Sequence, residues 1–329
     1  MFTKKTLIIL LSFLVTKSVQ AQNASFFTPT TAAKIIQSEG MVASGLPQKF
    51  DAYQLDEAGL RAVLETAPWE FTPEANQRRC VISVPTAHAQ IEQFSVWRTD
   101  MMEQELAEAC PYLRTYAGVS LSDPRRTLRF STTLRGFKAM ILQPDAAPAM
   151  VQPVANLYMA YSWADVPGAT HADLQLCATQ DSEVKLGDLK LDQAPASERG
   201  EGDPVRLKVY RFCVAGTGEF TQDHGGTKPL ALSAIMEYVN IVSAVTERDL
   251  DVRLKLTASS EYVIFTNPDT DPYNQGPTVQ DYMSQNPAVL NQYTNFNSYD
   301  LGHVFTRYIT GGAIGVAGGN ACGGNKGAG

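Results

Sequence analysis

The clearest periodic pattern in the chain lies between residues 229 and 247. Apolar side chains recur there at steps of three and four positions, the spacing of one helix face: Leu232, Ile235, Met236, Val239, Val242 and Val245. A second helix is predicted to begin after Asp56, an N-cap residue type, and to end at Ala67 and Pro68. Further helices are predicted over residues 102–110 and 279–293.

Short strands are predicted where β-branched and aromatic residues lie between polar turns. In the first half of the chain they cover residues 80–84, 93–97, 112–119, 129–133, 137–142 and 156–163. In the second half they cover residues 206–214, 252–256 and 262–265, with another strand beginning at 303. The order strand, helix, strand, strand, helix, strand predicts an α/β sandwich with a mixed sheet. We therefore predict an α+β chain in which a β-rich region precedes this sandwich.

The N-terminus has the pattern of a cleavable secretory signal over residues 1–21. Lys4 and Lys5 precede an apolar run over residues 7–15, and Val19-Gln20-Ala21 fits a cleavage site. The run is shorter than the ~20 residues that cross a bilayer, and we judge no later segment apolar enough to do so. The sequence predicts a secreted protein with no membrane span after signal cleavage.

Two segments of small and polar residues divide the remainder of the chain. Residues 22–46 are rich in Ser, Thr and Ala and are predicted to be a loosely ordered lead-in. Residues 192–204 contain no apolar side chain larger than Ala, so they cannot bury a face and are predicted to be a linker. The linker separates a region over residues 22–195 from one over residues 205–329.

Composition narrows the possible functions. The net charge of −7 and the pI of about 5.2 provide no basic surface for nucleic acid, and 44% hydrophobic residues are typical of a globular protein. Five cysteines are too few and too far apart for a disulfide scaffold: Cys80, Cys110, Cys177, Cys213 and Cys322. Their odd number leaves at least one unpaired. The unpaired cysteine could have its partner in a missing part of the chain, or it could be a small buried hydrophobe, which suits the apolar strand pattern around Cys213.

No catalytic or metal-ligating set can be assembled from the sequence alone. A zinc helix needs two histidines four residues apart with a glutamate beside the first, and no His-Glu-x-x-His occurs. The four histidines are isolated: His88, His171, His224 and His303. His224 and His303 could meet in space, although lone histidines are more often hydrogen-bonded structural residues. We predict no catalytic residue, no metal ligand and no bound zinc in these 329 residues.

Other motifs are incomplete. Asn267-x-Asp269-x-Asp271 begins like a calcium loop, but Pro272 and Thr278 occupy the positions that require Gly and Glu, so a turn is predicted. The chain has no complete phosphate-binding loop and no G-x-S-x-G nucleophile turn.

A series of short motifs in fixed order carries more information than any one of them. They are Leu55-Asp56 with Leu60, Leu64 and Ala67-Pro68; Thr115-Tyr116-Ala117-Gly118; Gly136-Phe137; Tyr210-Arg211; Thr217-Gly218-Glu219-Phe220; His224-Gly225-Gly226; Val239-Asn240; Glu247-Arg248-Asp249-Leu250; Tyr299-Asp300-x-Gly302-His303-Val304-Phe305; and the glycine-rich run ending at Cys322. In this order the chain resembles a bacterial secreted zinc metallopeptidase precursor of the reprolysin-like metzincin kind (M12B).

The resemblance implies a propeptide followed by the N-terminal part of a zincin-like catalytic domain that cleaves proteins or peptides. In such enzymes a HExxHxxGxxH zinc helix follows shortly after the glycine-rich strand, and the complete protein binds zinc. We expect the present chain to be a fragment that stops before this helix and to be inactive. Cys110 and Cys213 depart from the residues expected there, so no family disulfide pattern is transferred.

The resemblance also implies a substrate site, and the position of one cysteine shortly before the linker suggests a second site. Gly315, Val316 and Ala317 would form the edge strand that binds an extended peptide substrate, although without the family they form only a flexible glycine-rich terminus. Cys177 is a candidate inhibitory thiol that ligates zinc in the precursor, and the alternative is a buried structural cysteine. The competing class of function is a non-catalytic exported binding or adhesion module.

Overall fold

The computed structural model describes residues 25–31, 47–167, 207–273, 278–307, 315–318, 323–324 and 326–329. The predicted signal peptide, the 192–204 linker and Cys177 lie outside these residues. We call the described residues up to 167 the first region and those from 207 onward the second region.

The first region contains one antiparallel sheet and three short helices. Its strands are β1 (Phe27–Thr30), β2 (Asp51–Leu55), β3 (Cys80–Pro85), β4 (Ile91–Arg98), β5 (Arg114–Ser120), β6 (Thr127–Thr133), β7 (Gly136–Leu142), β8 (Ala149–Val154) and β9 (Leu157–Ser162). The neighbour order is β1-β2-β9-β8-β7-β6-β5-β4-β3. The helices are α1 (Glu57–Leu64), α2 (Pro73–Gln77) and α3 (Gln104–Ala109).

Most predicted elements of this region are confirmed within a few residues, and three strands were missed. β1 lies in the segment that we predicted to be a loosely ordered lead-in, so that prediction is wrong for residues 27–30. β2 and β8 were not predicted. β1 pairs with β2 from Phe27–Leu55 to Thr30–Ala52. The pairing partner, rather than a local pattern, makes these residues a strand.

The sheet curls until β1 and β3, at its two edges, come close together. Its inner face encloses one aromatic core that includes Phe27, Phe94 and Phe130. α1 covers this core with Leu60 and Leu64, which are both buried. As predicted, Asp56 caps α1, and its Oδ1 accepts a hydrogen bond from the Gly59 amide at 3.0 Å.

The second region is built on a small sheet of three parallel strands. They are β10 (Lys208–Gly216), β11 (Val252–Leu256) and β12 (Leu301–Phe305), in the order β11-β10-β12. The helices are α4 (Gly218–Asp223), α5 (Lys228–Leu250) and α6 (Val279–Tyr293). α5 and α6 pack on opposite faces of the sheet. All three strands are parallel, whereas we had predicted a mixed sheet.

The strand predicted over residues 262–265 is wrong. Ala258–Val263 form a 3-10 helix, and only Ile264 bridges to the sheet, at Gly216. The Ser260 hydroxyl accepts the hydrogen bond of the Val214 amide at 3.1 Å. A side chain thus takes the place of the backbone carbonyl that a paired strand would supply at this position.

α5 is buried on two sides because it lies between the two sheets. Ile235, Met236 and Val239 pack toward β10 and β11, whereas Ile241 and Ala244 pack on the outer face of the first region's sheet. By length and composition α5 could cross a membrane, with 61% of its most apolar window buried. The prediction that no segment after the signal peptide is apolar enough to cross a membrane is therefore wrong, because α5 has the length and composition required. The apolar content of α5 is explained by the two faces that it buries.

Candidate functional site

The turn after β10 is held by a buried carboxylate. Thr217 caps α4 through its hydroxyl, which accepts from the Phe220 amide at 3.2 Å. Asp271 Oδ2 accepts from the Gly218 amide at 2.6 Å, and its Oδ1 accepts from the Tyr273 amide at 2.9 Å. Burial raises the pKa of Asp271, and these two amides partly offset that rise. The residues 267–271 that resemble a calcium loop therefore form a turn, as predicted, and the turn anchors α4.

His224 and His303 lie on either side of an aromatic pair. The His224 Nδ1 lies 2.7 Å from the Phe220 carbonyl oxygen, and its Nε2 lies 3.3 Å from the Tyr238 hydroxyl. The ring of His303 is 5.0 Å from that of Phe305, which in turn is 5.6 Å from that of Phe220. Burial lowers the pKa of His224 and lowers the pKa of His303 to about 4.

These histidines do not form a metal centre. Throughout the described part of the chain, no group of three or more His, Cys, Asp or Glu side chains could hold a metal ion. The described residues therefore do not fit a three-histidine zinc site.

The predicted substrate strand lies at the outer edge of the small sheet. The amides of Gly302 and Val304 on β12 donate to the carbonyls of Lys326 and Gly329, at 2.7 and 2.8 Å. Residues 326–329 thus lie along the free side of β12, and the Gly318 amide donates to the Ala328 carbonyl at 2.9 Å. Residues 315–317 follow outward from there, half-buried to exposed, and a side chain at Gly315 would meet open space. Their binding of a peptide stays a prediction.

Sequence reasoning missed Lys326, which fixes the end of this edge. It is buried, its Nζ donates to the Tyr299 carbonyl at 2.6 Å, and it lies 3.9 Å from the centre of the Phe296 ring. Nothing local in the glycine-rich sequence indicates this contact, because both partners lie almost thirty residues earlier in the chain.

One face of β12 is only partly covered. Gly302 and Val304 point toward α6, where Leu290 packs against them. The alternate residues Leu301 and Phe305 point to the opposite face of the sheet, on the side of α5, and are half-buried. An aromatic and aliphatic stripe therefore lies beside α5 on this face.

The described cysteines are free and buried: Cys80, Cys110 and Cys213. The state of Cys213 agrees with one of the two alternatives given for it, a small buried side chain without a disulfide partner. Burial raises its pKa, which makes the reactive thiolate less accessible at neutral pH.

A second missed feature is a buried charge cluster between the two regions. Arg253 on β11 bonds both Glu70 of the first region and Glu247 of α5, and Arg129 of β6 also bonds Glu247 at 2.5 Å. The side chains of Arg253 and Glu70 are only 5% and 6% exposed. Burial raises the pKa of Glu247, but the two arginines more than offset this and leave it lowered. The four side chains balance their charges across the boundary.

Residues 206–328 match the family model for reprolysin-like metallopeptidases of family M12B. The match coincides with the second region, and it supports a reprolysin-like peptidase, a hydrolase of peptide or protein substrates. No curated protein matches the chain.

Proposed function

We propose that the protein is the precursor of a secreted, zinc-dependent metalloendopeptidase of bacterial origin. The second region would be the N-terminal part of the catalytic domain, and residues 22–195 would be the propeptide. The observation that carries this proposal is the family match over residues 206–328, which falls on one parallel β-sheet with α5 and α6 on its two faces.

Zinc enters the proposal through the family, since M12B peptidases are zinc-dependent in general. His224 is already bonded to a backbone carbonyl and a tyrosine hydroxyl, and it is separated from His303 by Phe220 and Phe305. We therefore assign the zinc ligands to a HExxHxxGxxH helix encoded beyond these residues. The half-buried stripe formed by Leu301 and Phe305 offers an apolar surface on which such a helix can pack.

Residues 315–317 are proposed as the strand that receives the peptide substrate. Among the described residues they lie outermost on the β12 side of the sheet; Gly315 and Val316 are half-buried, Ala317 is exposed, and a side chain at Gly315 would meet open space. Such an edge suits the addition of an extended peptide as a further strand.

This proposal predicts that the 329-residue chain alone cleaves no peptide and binds no stoichiometric zinc. The measurement is hydrolysis of a quenched fluorescent peptide mixture, with and without a chelator, together with the zinc content of the purified chain. Hydrolysis that a chelator blocks would contradict the assignment of the zinc ligands to residues outside this chain.

Cys177 is proposed as an inhibitory thiol of the precursor, and Arg199, within the predicted linker over residues 192–204, as the basic residue at which the propeptide is released. Replacing Cys177 with Ser in the full-length precursor should raise its basal peptidase activity if the thiol silences the zinc site. A variant that stays as latent as the wild type removes Cys177 from this role.

A further inference from the structure

The first region adds a short backbone segment to the open edge of β11. The Leu256 amide donates to the Met101 carbonyl at 2.8 Å, and the Glu103 amide donates to the Leu256 carbonyl at 2.9 Å. Met102 and Leu256 form a parallel bridge, and the Glu103 carboxylate also accepts from the Ala258 amide at 2.9 Å. Residues 101–103 therefore cover a strand edge that would otherwise present unpaired backbone groups.

The same segment completes the core of the second region. Met101, Leu106 and Leu113 are buried in one apolar cluster with Leu254 and Leu256 of β11. Met101 is fully buried, although it belongs to the first region in sequence. Removal of the first region would expose these strand residues to water.

α5 presents a buried carboxylate to the first region as well. Glu237 is 2% exposed, and its Oε1 accepts from the Thr133 hydroxyl at 2.8 Å. Its Oε2 lies 3.4 Å from the Arg135 Nε and 3.9 Å from the Lys138 Nζ. One turn further along, Asn240 donates to the Phe130 carbonyl at 2.9 Å. A buried carboxylate of this kind requires its cationic partners to remain in place.

We infer that the first region is an edge-capping partner that stays bound to the second region after the chain between them is cut, and that it leaves the predicted substrate edge open. The reason is position: residues 101–103 occupy the β11 edge, whereas residues 315–317 lie beyond β12. From β11 to residues 315–317, across β10, β12 and residues 326–329, there are four strand spacings of ~4.8 Å, or about 19 Å. The described first region thus assists the fold of the second region without filling the place of the substrate.

The interpretation of the first region as a propeptide rests on the proposed function. The association of the two regions can nevertheless be tested without peptidase activity. A site-specific protease sequence is placed within residues 192–204 of the full chain and cut to completion, as judged on a denaturing gel. The cut protein is then run on size-exclusion chromatography with light scattering at falling concentration. The two pieces are expected to co-elute at the mass of the uncut chain.

Two variants test the residues that hold the pieces together. Glu103→Pro fits the backbone, whose φ at this position is −61°, but it removes both hydrogen bonds to the β11 side, and we expect at least tenfold weaker association. Glu237→Gln leaves Arg135 and Lys138 without a counter-charge, and we expect about a 100-fold loss.

The controls are matched in chemistry and place. Gln104→Pro puts the same residue one position later, at the first turn of α3, where proline is tolerated. Asp249→Asn neutralises an exposed carboxylate on the same helix as Glu237. Arg135→Gln, at a half-exposed side chain, gives a milder version of the Glu237 change that tests the same pair if Glu237→Gln fails to fold.

Separation of the cut wild-type pieces at micromolar concentration would overturn the inference. So would equal losses in the test variants and their controls. Either result leaves the proposed peptidase function standing, because that function is tested separately, through zinc binding and peptide hydrolysis rather than through association of the two pieces.

Discussion

Replacement of Arg253 should lower the stability of both regions at once. Its Nη1 and Nη2 donate to the two Glu70 oxygens at 2.5 and 2.9 Å. Its Nε and Nη2 donate to the two Glu247 oxygens at 2.8 and 3.1 Å. One guanidinium therefore binds two carboxylates in bidentate fashion, one on each side of the boundary.

The size of the effect follows from burial. Glu70 and Glu247 have side chains that are 6% and 15% exposed, so Arg253→Met leaves two nearly dry carboxylates. Glu247 then keeps Arg129 as a partner, and Glu70 keeps only the hydrogen bond from the Asp100 amide. Removing one partner of a buried ion pair typically destabilises a protein by ~3–5 kcal/mol. Arg253→Lys keeps the charge but cannot form both bidentate contacts, so its effect should be smaller, on the order of 1.5–3 kcal/mol.

The assay is urea unfolding of the full chain, followed separately by far-UV circular dichroism and by hydrogen exchange in peptides from each region. Because the chain contains more than one core, the midpoints are compared rather than one extrapolated free energy. The control is Arg248→Met, which breaks an exposed pair with Asp249 and should change stability by ~0–1 kcal/mol.

Two results would refute this reasoning. The first is an Arg253→Met midpoint no lower than that of Arg248→Met. The second is a loss of protection confined to the second region, because Glu70 belongs to the first. Combining Arg253→Met with Glu70→Met should recover part of the loss, since no unpaired carboxylate then remains at position 70.

Two further predictions concern the small sheet. Gly218→Ala should lower the free energy of unfolding by ~1–3 kcal/mol or more, because the new Cβ would lie 2.2 Å from the Pro268 backbone nitrogen. An unfolding midpoint equal to that of the wild type would contradict this close approach. Burial lowers the pKa of His303 from 6.5 to about 4, so the unfolded chain binds a proton that the folded chain does not. Stability should therefore fall between pH 6.5 and pH 4, by at most ~3 kcal/mol, and a His303→Phe variant that keeps the same acid slope would rule this out.

Local signals in the sequence were sufficient to predict the helices and strands whose first and last residues are marked by nearby capping or turn residues. The helix predicted over residues 279–293 agrees with α6, where Thr278 and Asp281 form a capping box. The strand predicted over residues 252–256 likewise agrees with β11. These elements were recoverable because the residues that define their ends are close in sequence.

The features that sequence reasoning missed depend on distant partners. Glu237 lies in a helix with apolar residues on two faces, and its burial is explained only by Thr133, Arg135 and Lys138, about a hundred residues earlier. No sequence signal near Met101 indicated that this residue would cover the edge of β11. The candidate substrate strand was placed by family resemblance alone, because a glycine-rich run has no periodicity to read.

The most direct test of the whole account is to sequence the transcript across the codon for Gly329. The account predicts an open reading frame that continues past this codon and soon encodes a HExxHxxGxxH motif. A stop codon directly after Gly329, at the true end of the gene, would contradict the assignment of this chain to a zinc metalloendopeptidase precursor.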